Sequence, residues 1–129
     1  MNSRLVTDLA ERVLERCLND GEFRLAARYW NGAVRMNLPG EVVAIQLKRG
    51  SASRAVGTPS SSDLTFTAPD EVWEKLLSPL PPPMFNDIPS SMASGLQFSG
   101  DVELYWQYYP AIRRLVDLVR EEWNAHVPV

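Results

Sequence analysis

The 129-residue chain has one cysteine and one histidine. Cys17 alone forms no internal disulfide and no redox pair. A tetrahedral zinc site would have to lean on carboxylates beside Cys17 and His126. A Ser-His-Asp triad would have to recruit His126, three residues from the end of the sequence, where a side chain is expected to be a bystander. The seven glycines are isolated turn residues, and GSASRAVG (50–57) lacks the Lys-Ser/Thr ending of a phosphate-binding loop. Positive charge is scarce: 13 basic residues against 16 acidic ones leave a net charge of −3, which excludes a broad nucleic-acid footprint. No apolar run is long enough to cross a membrane, and the opening MNSRLVTDLAERVLERC is too charged for a signal peptide. The expectation is a cytoplasmic protein with no cofactor, no metal and no nucleic-acid partner.

What is present suits a globular domain. With 45% hydrophobic and 22% charged residues, residues 1–129 are expected to form a single domain. Residues 4–19 place Leu5, Leu9, Val13 and Cys17 on one ladder and Val6, Ala10, Leu14 and Leu18 on the next, an amphipathic helix stopped at Gly21. In that face Cys17 reads as a small buried hydrophobe. The period then changes to two. Phe23, Leu25, Ala27 and Tyr29 alternate with polar or small residues, and after Asn31-Gly32 the phase shifts to Val34, Met36 and Leu38. Asn-Gly between two alternating runs predicts a hairpin, or a bulge in one long strand. Pro39-Gly40 marks a turn, Val43, Ile45 and Leu47 a third strand, and a short one is expected around 54–56. Asp63–Thr67 is another, with Leu64 and Phe66 on one face. Pro69-Asp70-Glu71 opens a helix with Val72, Trp73, Leu76 and Leu77 inward. Leu96–Phe98 is a last short strand. Asp101 caps a helix over 102–109, and Pro110 separates it from a longer one over 110–125. Consecutive strands joined by tight turns, with segregated helices, predict an α+β domain built on an antiparallel meander.

Two stretches stand out. Tyr105, Trp106, Tyr108 and Tyr109 lie within five residues, at spacings that serve either a core helix or the wall of a ligand cavity. Residues 78–95, SPLPPPMFNDIPSSMASG, carry five of the ten prolines yet also Leu80, Met84, Phe85, Ile88 and Met92. Burying Met84, Phe85, Ile88 and Met92 is worth roughly 6–12 kcal/mol, comparable with the net stability of a whole domain. Those side chains must therefore rest on a core, a partner or an apolar ligand, and proline lowers the entropy lost in holding them there.

Three strings and the element order resemble the sterol carrier protein 2 family. Ser62-Asp63-Leu64-Thr65-Phe66-Thr67 running into PDEVWEKLL (69–77) is similar to the family's A-D-x-T-[IL]-T strand and the helix after it. Ser94–Asp101, SGLQFSGD, looks like its later strand ending in Gly-Asp, and the alternating 22–48 is similar to the strands opening its sheet. The resemblance covers essentially the whole chain and implies a stand-alone, bacterial-type member of the family. It implies a five-stranded, mostly antiparallel sheet with helices on one face, and between the layers an apolar tunnel for sterols, fatty acids or fatty acyl groups. The Pro-rich stretch replaces a helical segment that in the family ends in a glycine-rich turn, and HVPV stands where a peroxisomal tripeptide would be.

Three functions follow as expectations. The first is a non-enzymatic binder of an apolar small molecule, lined by Trp73, Leu77, Met84, Phe85, Ile88, Met92, Tyr105, Trp106 and Tyr109. The second is an accessory module whose tunnel has collapsed, and whose loop and aromatic face dock on a partner enzyme or a second copy. The third is a cavity enzyme using Asp63 or Asp101 with a tyrosine, which needs an acid buried among apolar side chains.

Overall fold

A computed structural model of the chain describes residues 3–57 and 63–125, with side chains from Leu9 onward. Helix α1 (Ser3–Asn19) buries Leu9, Val13 and Cys17 on one ladder, as the periodicity predicts. Its outer arginines reach the last helix: Arg12 Nε lies 3.1 Å from Glu122, and Arg16 donates to Glu121 at 2.5 Å and Glu122 at 2.9 Å.

The predicted strand over 23–29 is instead a short helix, α2 (Gly21–Ala26). Asp20 caps it, its carboxylate accepting from the Phe23 N–H at 2.8 Å. Phe23 and Ala27 satisfy both a period of two and a helical i, i+4 step, and both are fully buried. Leu25 and Tyr29 decide between the periods. A strand would bury them beside Phe23, yet they are 64% and 70% exposed. Asn31-Gly32 accordingly makes no hairpin, since Gly32 opens β1 (Gly32–Leu38).

Strands β1 and β2 (Glu41–Lys48) form an antiparallel pair closed by Pro39-Gly40. The two-residue turn with positive φ at both positions falls at Arg49 (φ 50°) and Gly50 (φ 79°), joining β2 to β3 (Ser51–Arg54). A Cβ on Gly50 would stand 2.5 Å from Arg28 Cα and 2.8 Å from Ala27 O, so glycine lets this turn sit directly on the end of α2.

β4 (Leu64–Thr67) runs parallel to β1, and β5 (Gln97–Ser99) pairs antiparallel with β4, so the sheet order is β3-β2-β1-β4-β5. The sheet is therefore mixed and not the expected meander. After β3 the chain passes β2 and β1, about 14 Å of sheet at about 4.8 Å per strand. Residues 55–63 are long enough for that, and no local sequence feature specifies which strand is met on arrival.

Val34, Met36, Leu38, Val43, Ile45, Leu47, Leu64 and Phe66 share the inner face of the sheet and pack into one cluster with Leu9, Val13, Val72 and Leu115 of the helices. Arg35, Asn37, Gln46 and Thr65 occupy the other face. Helix α3 (Asp70–Leu76) follows β4, and α4 (Ile88–Met92) lies inside the Pro-rich stretch. α5 (Val102–Gln107) starts at the Asp101 cap, and α6 (Tyr109–Ala125) follows a break at Tyr108, with Pro110 in its first turn rather than at the break.

Candidate functional site

Of the nine residues expected to line a tunnel, Trp73, Leu77, Ile88 and Tyr105 are at most 2% exposed and belong to the single core cluster. Phe85, Met92 and Tyr109 are half-buried and pack against it. Met84 and Trp106 are exposed and stand apart from the buried group. Trp106 still meets Tyr105 edge to face at 5.0 Å between ring centres.

Tyr105 is the hub of an aromatic layer that continues the inner face of the sheet. Its ring stacks on Phe98 at 4.9 Å and lies 6.1 Å from Phe66 and 5.7 Å from Tyr109. Register explains the grouping, because Phe66 on β4 is paired with Phe98 on β5, directly beneath α5. Burial, with the charges of Tyr109 and Asp87 adding to it, pushes the Tyr105 phenol up to about 12. Among the described residues its hydroxyl has no hydrogen-bond partner, and the same is true of the indole Nε1 of Trp73. With the indole Nε1 of Trp30, three buried polar atoms thus sit unmatched within the apolar core among the described residues, at a cost of about 1–3 kcal/mol each. Burial, with the charge of Asp87 adding to it, likewise raises the Tyr109 phenol above its ordinary range.

The Pro-rich stretch covers this layer and is pinned where it starts and where it turns back. Arg120 donates through Nε and Nη2 to the Leu76 carbonyl at 2.9 and 2.8 Å, and its Nη2 also reaches the Asn86 carbonyl at 3.0 Å. Asn124 donates to the Leu77 carbonyl at 2.7 Å. Asp87 and Ser90 form a capping box, with the Ser90 N–H on Asp87 Oδ1 at 3.1 Å, and this starts α4 and drives Ile88 inward. Lys75 places its ammonium 5.1 Å from the centre of the Phe85 ring. Sequence reasoning did not single out Arg120 or Asn124. The Asp-x-Pro-Ser spacing of 87–90 was the available signal for α4. It also missed a concavity between α1, α2 and the β2–β3 turn, lined in part by Arg24, Arg28 and Arg49.

The two aspartates of the enzyme reading lie elsewhere. Asp101 is exposed and accepts from the Glu103 N–H at 2.9 Å as the cap of α5. Asp63 is buried but sits 3.9 Å from Arg35, on the face of the sheet opposite Leu64 and Phe66. Neither belongs to the aromatic layer. Among the described residues no group of three His, Cys, Asp or Glu could hold a metal ion, and His126 lies outside them. No helix of the described residues is long and apolar enough to cross a membrane.

These elements define the class of the protein: an α+β chain with a five-stranded mixed sheet, helices against its apolar face and an aromatic layer between. Two solved structures share the arrangement. The crystal structure of sterol carrier protein 2 superposes with a TM-score of 0.69 at 19% identity, covering 91% of this chain and 97% of that one. The solution structure of a conserved hypothetical protein of Thermus thermophilus, described as a possible sterol carrier protein, gives a TM-score of 0.65, also at 19% identity, over 88% and 85% of the two chains. No protein-family model and no curated protein matches the sequence. The chain has the sterol carrier protein 2 fold.

Proposed function

We propose that this protein binds and carries an apolar small molecule, a lipid, fatty acyl or sterol-like ligand, between the sheet and the helices beneath the 78–95 cover. The observation that carries the reading is the Tyr105 hydroxyl, buried in the aromatic layer with no hydrogen-bond partner among the described residues, while Trp73 Nε1 is likewise unmatched in the same core. A ligand with one polar end satisfies such a layer, because burial of its apolar body drives binding while one or two polar groups orient it. The likeness in fold to the crystal structure of sterol carrier protein 2 supports a lipid-like ligand. Trp73, Leu77, Ile88 and Tyr105 have almost no exposure, so entry requires the cover to lift, with Phe85 and Met92 moving along with α4.

The test is extraction of lipid from the purified protein together with titration by a fluorescent fatty acyl probe. Co-purified lipid or saturable one-to-one binding supports the reading, and a protein that is empty and also silent to the probe removes it. A second reading, an accessory module docking on a partner enzyme or a second copy, draws on Val102 and Trp106, an i, i+4 pair on α5 that is 54% and 63% exposed. Light scattering separates the two: a tight dimer that Trp106→Ser dissolves favours docking.

A further inference from the structure

A concavity lies away from the aromatic layer and uses none of the residues assigned to that layer. It has a volume of about 610 Å³, within the size range of small-molecule sites. Its walls come from the last turn of α1, the β2–β3 turn and one stripe of α2. Gly21, Arg24, Leu25 and Arg28 recur at three- and four-residue steps, so the face of α2 opposite Phe23 and Ala27 points into it. Cys17, Leu18, Leu25 and Ala52 supply apolar wall, and Arg24, Arg28 and Arg49 supply charge.

The charge is unmatched. Arg12, Arg16, Arg35, Arg54, Arg114 and Arg120 each stand within 3.9 Å of a carboxylate oxygen. No such partner is found for Arg24, Arg28 or Arg49 among the described residues. In a chain with net charge −3, three unpaired guanidinium groups around one apolar concavity are a concentration of opposite sign. The two elements carrying them are locked together. The Gly50 N–H donates to the Trp30 carbonyl at 3.1 Å and the Arg49 N–H to Asn31 Oδ1 at 2.7 Å. Arg28 is oriented by its own bond to the Leu25 carbonyl at 2.6 Å and by the Tyr29 ring 4.8 Å away, which leaves most of its five N–H donors for a ligand.

We propose that this pocket binds a phosphate or diphosphate group carried on an apolar chain. A guanidinium matches phosphate geometry in bidentate fashion, and three of them balance an anion of two or three charges better than a carboxylate with one. The apolar walls beside the arginines then take the first part of the chain.

The experiment titrates the full-length protein with dodecyl phosphate below its micelle concentration, followed by calorimetry and by backbone amide NMR signals. The expected result is saturable binding that shifts the amides of Leu25 and Arg49–Ala52. Dodecanoate should bind at least about tenfold more weakly, and R24Q/R49Q should lose at least about tenfold in affinity. Three results overturn the proposal. One is equal affinity for dodecanoate, or of the double variant for dodecyl phosphate, read at the amides of Leu25 and Arg49–Ala52. Another is equally tight binding of inorganic phosphate, which marks a free-anion site. The third is binding to phosphatidic acid vesicles with none to monomeric dodecyl phosphate, which marks a membrane-facing surface. The two sites share no residue and report through different signals, so failure of one leaves the other standing.

Discussion

Replacing Asp20 tests whether α2 is a capped helix tied to α6. Its carboxylate does two things: it caps Phe23 N–H at 2.8 Å and it accepts a two-pronged pair from Arg114 at 2.8 and 3.0 Å. Loss of a cap costs about 1 kcal/mol. The ion pair is partly exposed, with side-chain exposures of 15% and 22%, and Glu22 at 3.8 Å and Asp117 at 3.9 Å remain near Arg114. It is therefore worth about 1 kcal/mol, the upper end for accessible pairs. Asp20→Ala should cost about 2 kcal/mol. Asp20→Asn keeps a good cap and should cost about 1 kcal/mol, the charge alone. The Arg114 guanidinium, and after it the Phe23 N–H, hold the Asp20 carboxyl below the usual carboxylate range. With the folded value depressed, the contribution is complete above the unfolded value of about 3.9 and is lost as pH falls through the lower folded one. The gap between wild type and Asp20→Asn, present at pH 7, should close in strong acid. Urea midpoints at constant slope measure both effects. If Asp20→Ala and Asp20→Asn are equally destabilised, the Asp20 carboxylate does not cap α2.

Other perturbations probe the cover, the turns and the buried layer. Tyr105→Phe removes a hydroxyl without a partner among the described residues, so stability should hold or rise by up to about 1 kcal/mol while affinity for a ligand with a polar end falls severalfold; a large loss of stability would mean the hydroxyl is bonded in the protein. Gly50→Ala should cost at least about 2 kcal/mol by thermal melting, since it adds a close contact with Arg28 to a strained backbone; Gly40→Ala, at φ 77° with nothing within 4 Å, should cost only about 1 kcal/mol. Equal costs would show that the turn is not seated on α2. Arg120→Ala frees the Leu76 and Asn86 carbonyls, so limited proteolysis should cut within 78–87 faster than in wild type; unchanged cleavage would show that other contacts hold the cover.

Much of the fold is legible locally because single residues carry it. The Leu9-Val13-Cys17 ladder, the Pro39-Gly40 turn, the Asp101 cap and Pro110 in the first turn of α6 each act within one turn of their own position. Residues 23–29 mislead because Phe23 and Ala27 fit two periods, and only the exposure of Leu25 and Tyr29 separates them. The parallel pairing of β4 with β1 depends on contacts across about 30 residues, which no local pattern encodes. Burial of Trp73, Leu77, Ile88 and Tyr105 follows from their apolar spacing. Met84 and Trp106 do not join them, because an apolar side chain in a loop or on a two-sided helix carries no mark of which way it faces. The arginine-lined pocket escapes sequence reading for the same reason, as Arg24, Arg28 and Arg49 converge only through α2 and the Gly50 turn.

Methyl NMR of methionine tests ligand binding beneath the cover most directly. The four methionines include Met92 and Met84 in the cover and Met36 on the inner face of β1. Titration with a long-chain fatty acyl ligand should shift the Met92 methyl strongly and Met36 measurably, saturating at one equivalent, with exposed Met84 moving as the cover lifts. Saturating binding that leaves Met92 and Met36 unmoved would place the ligand elsewhere and contradict the account.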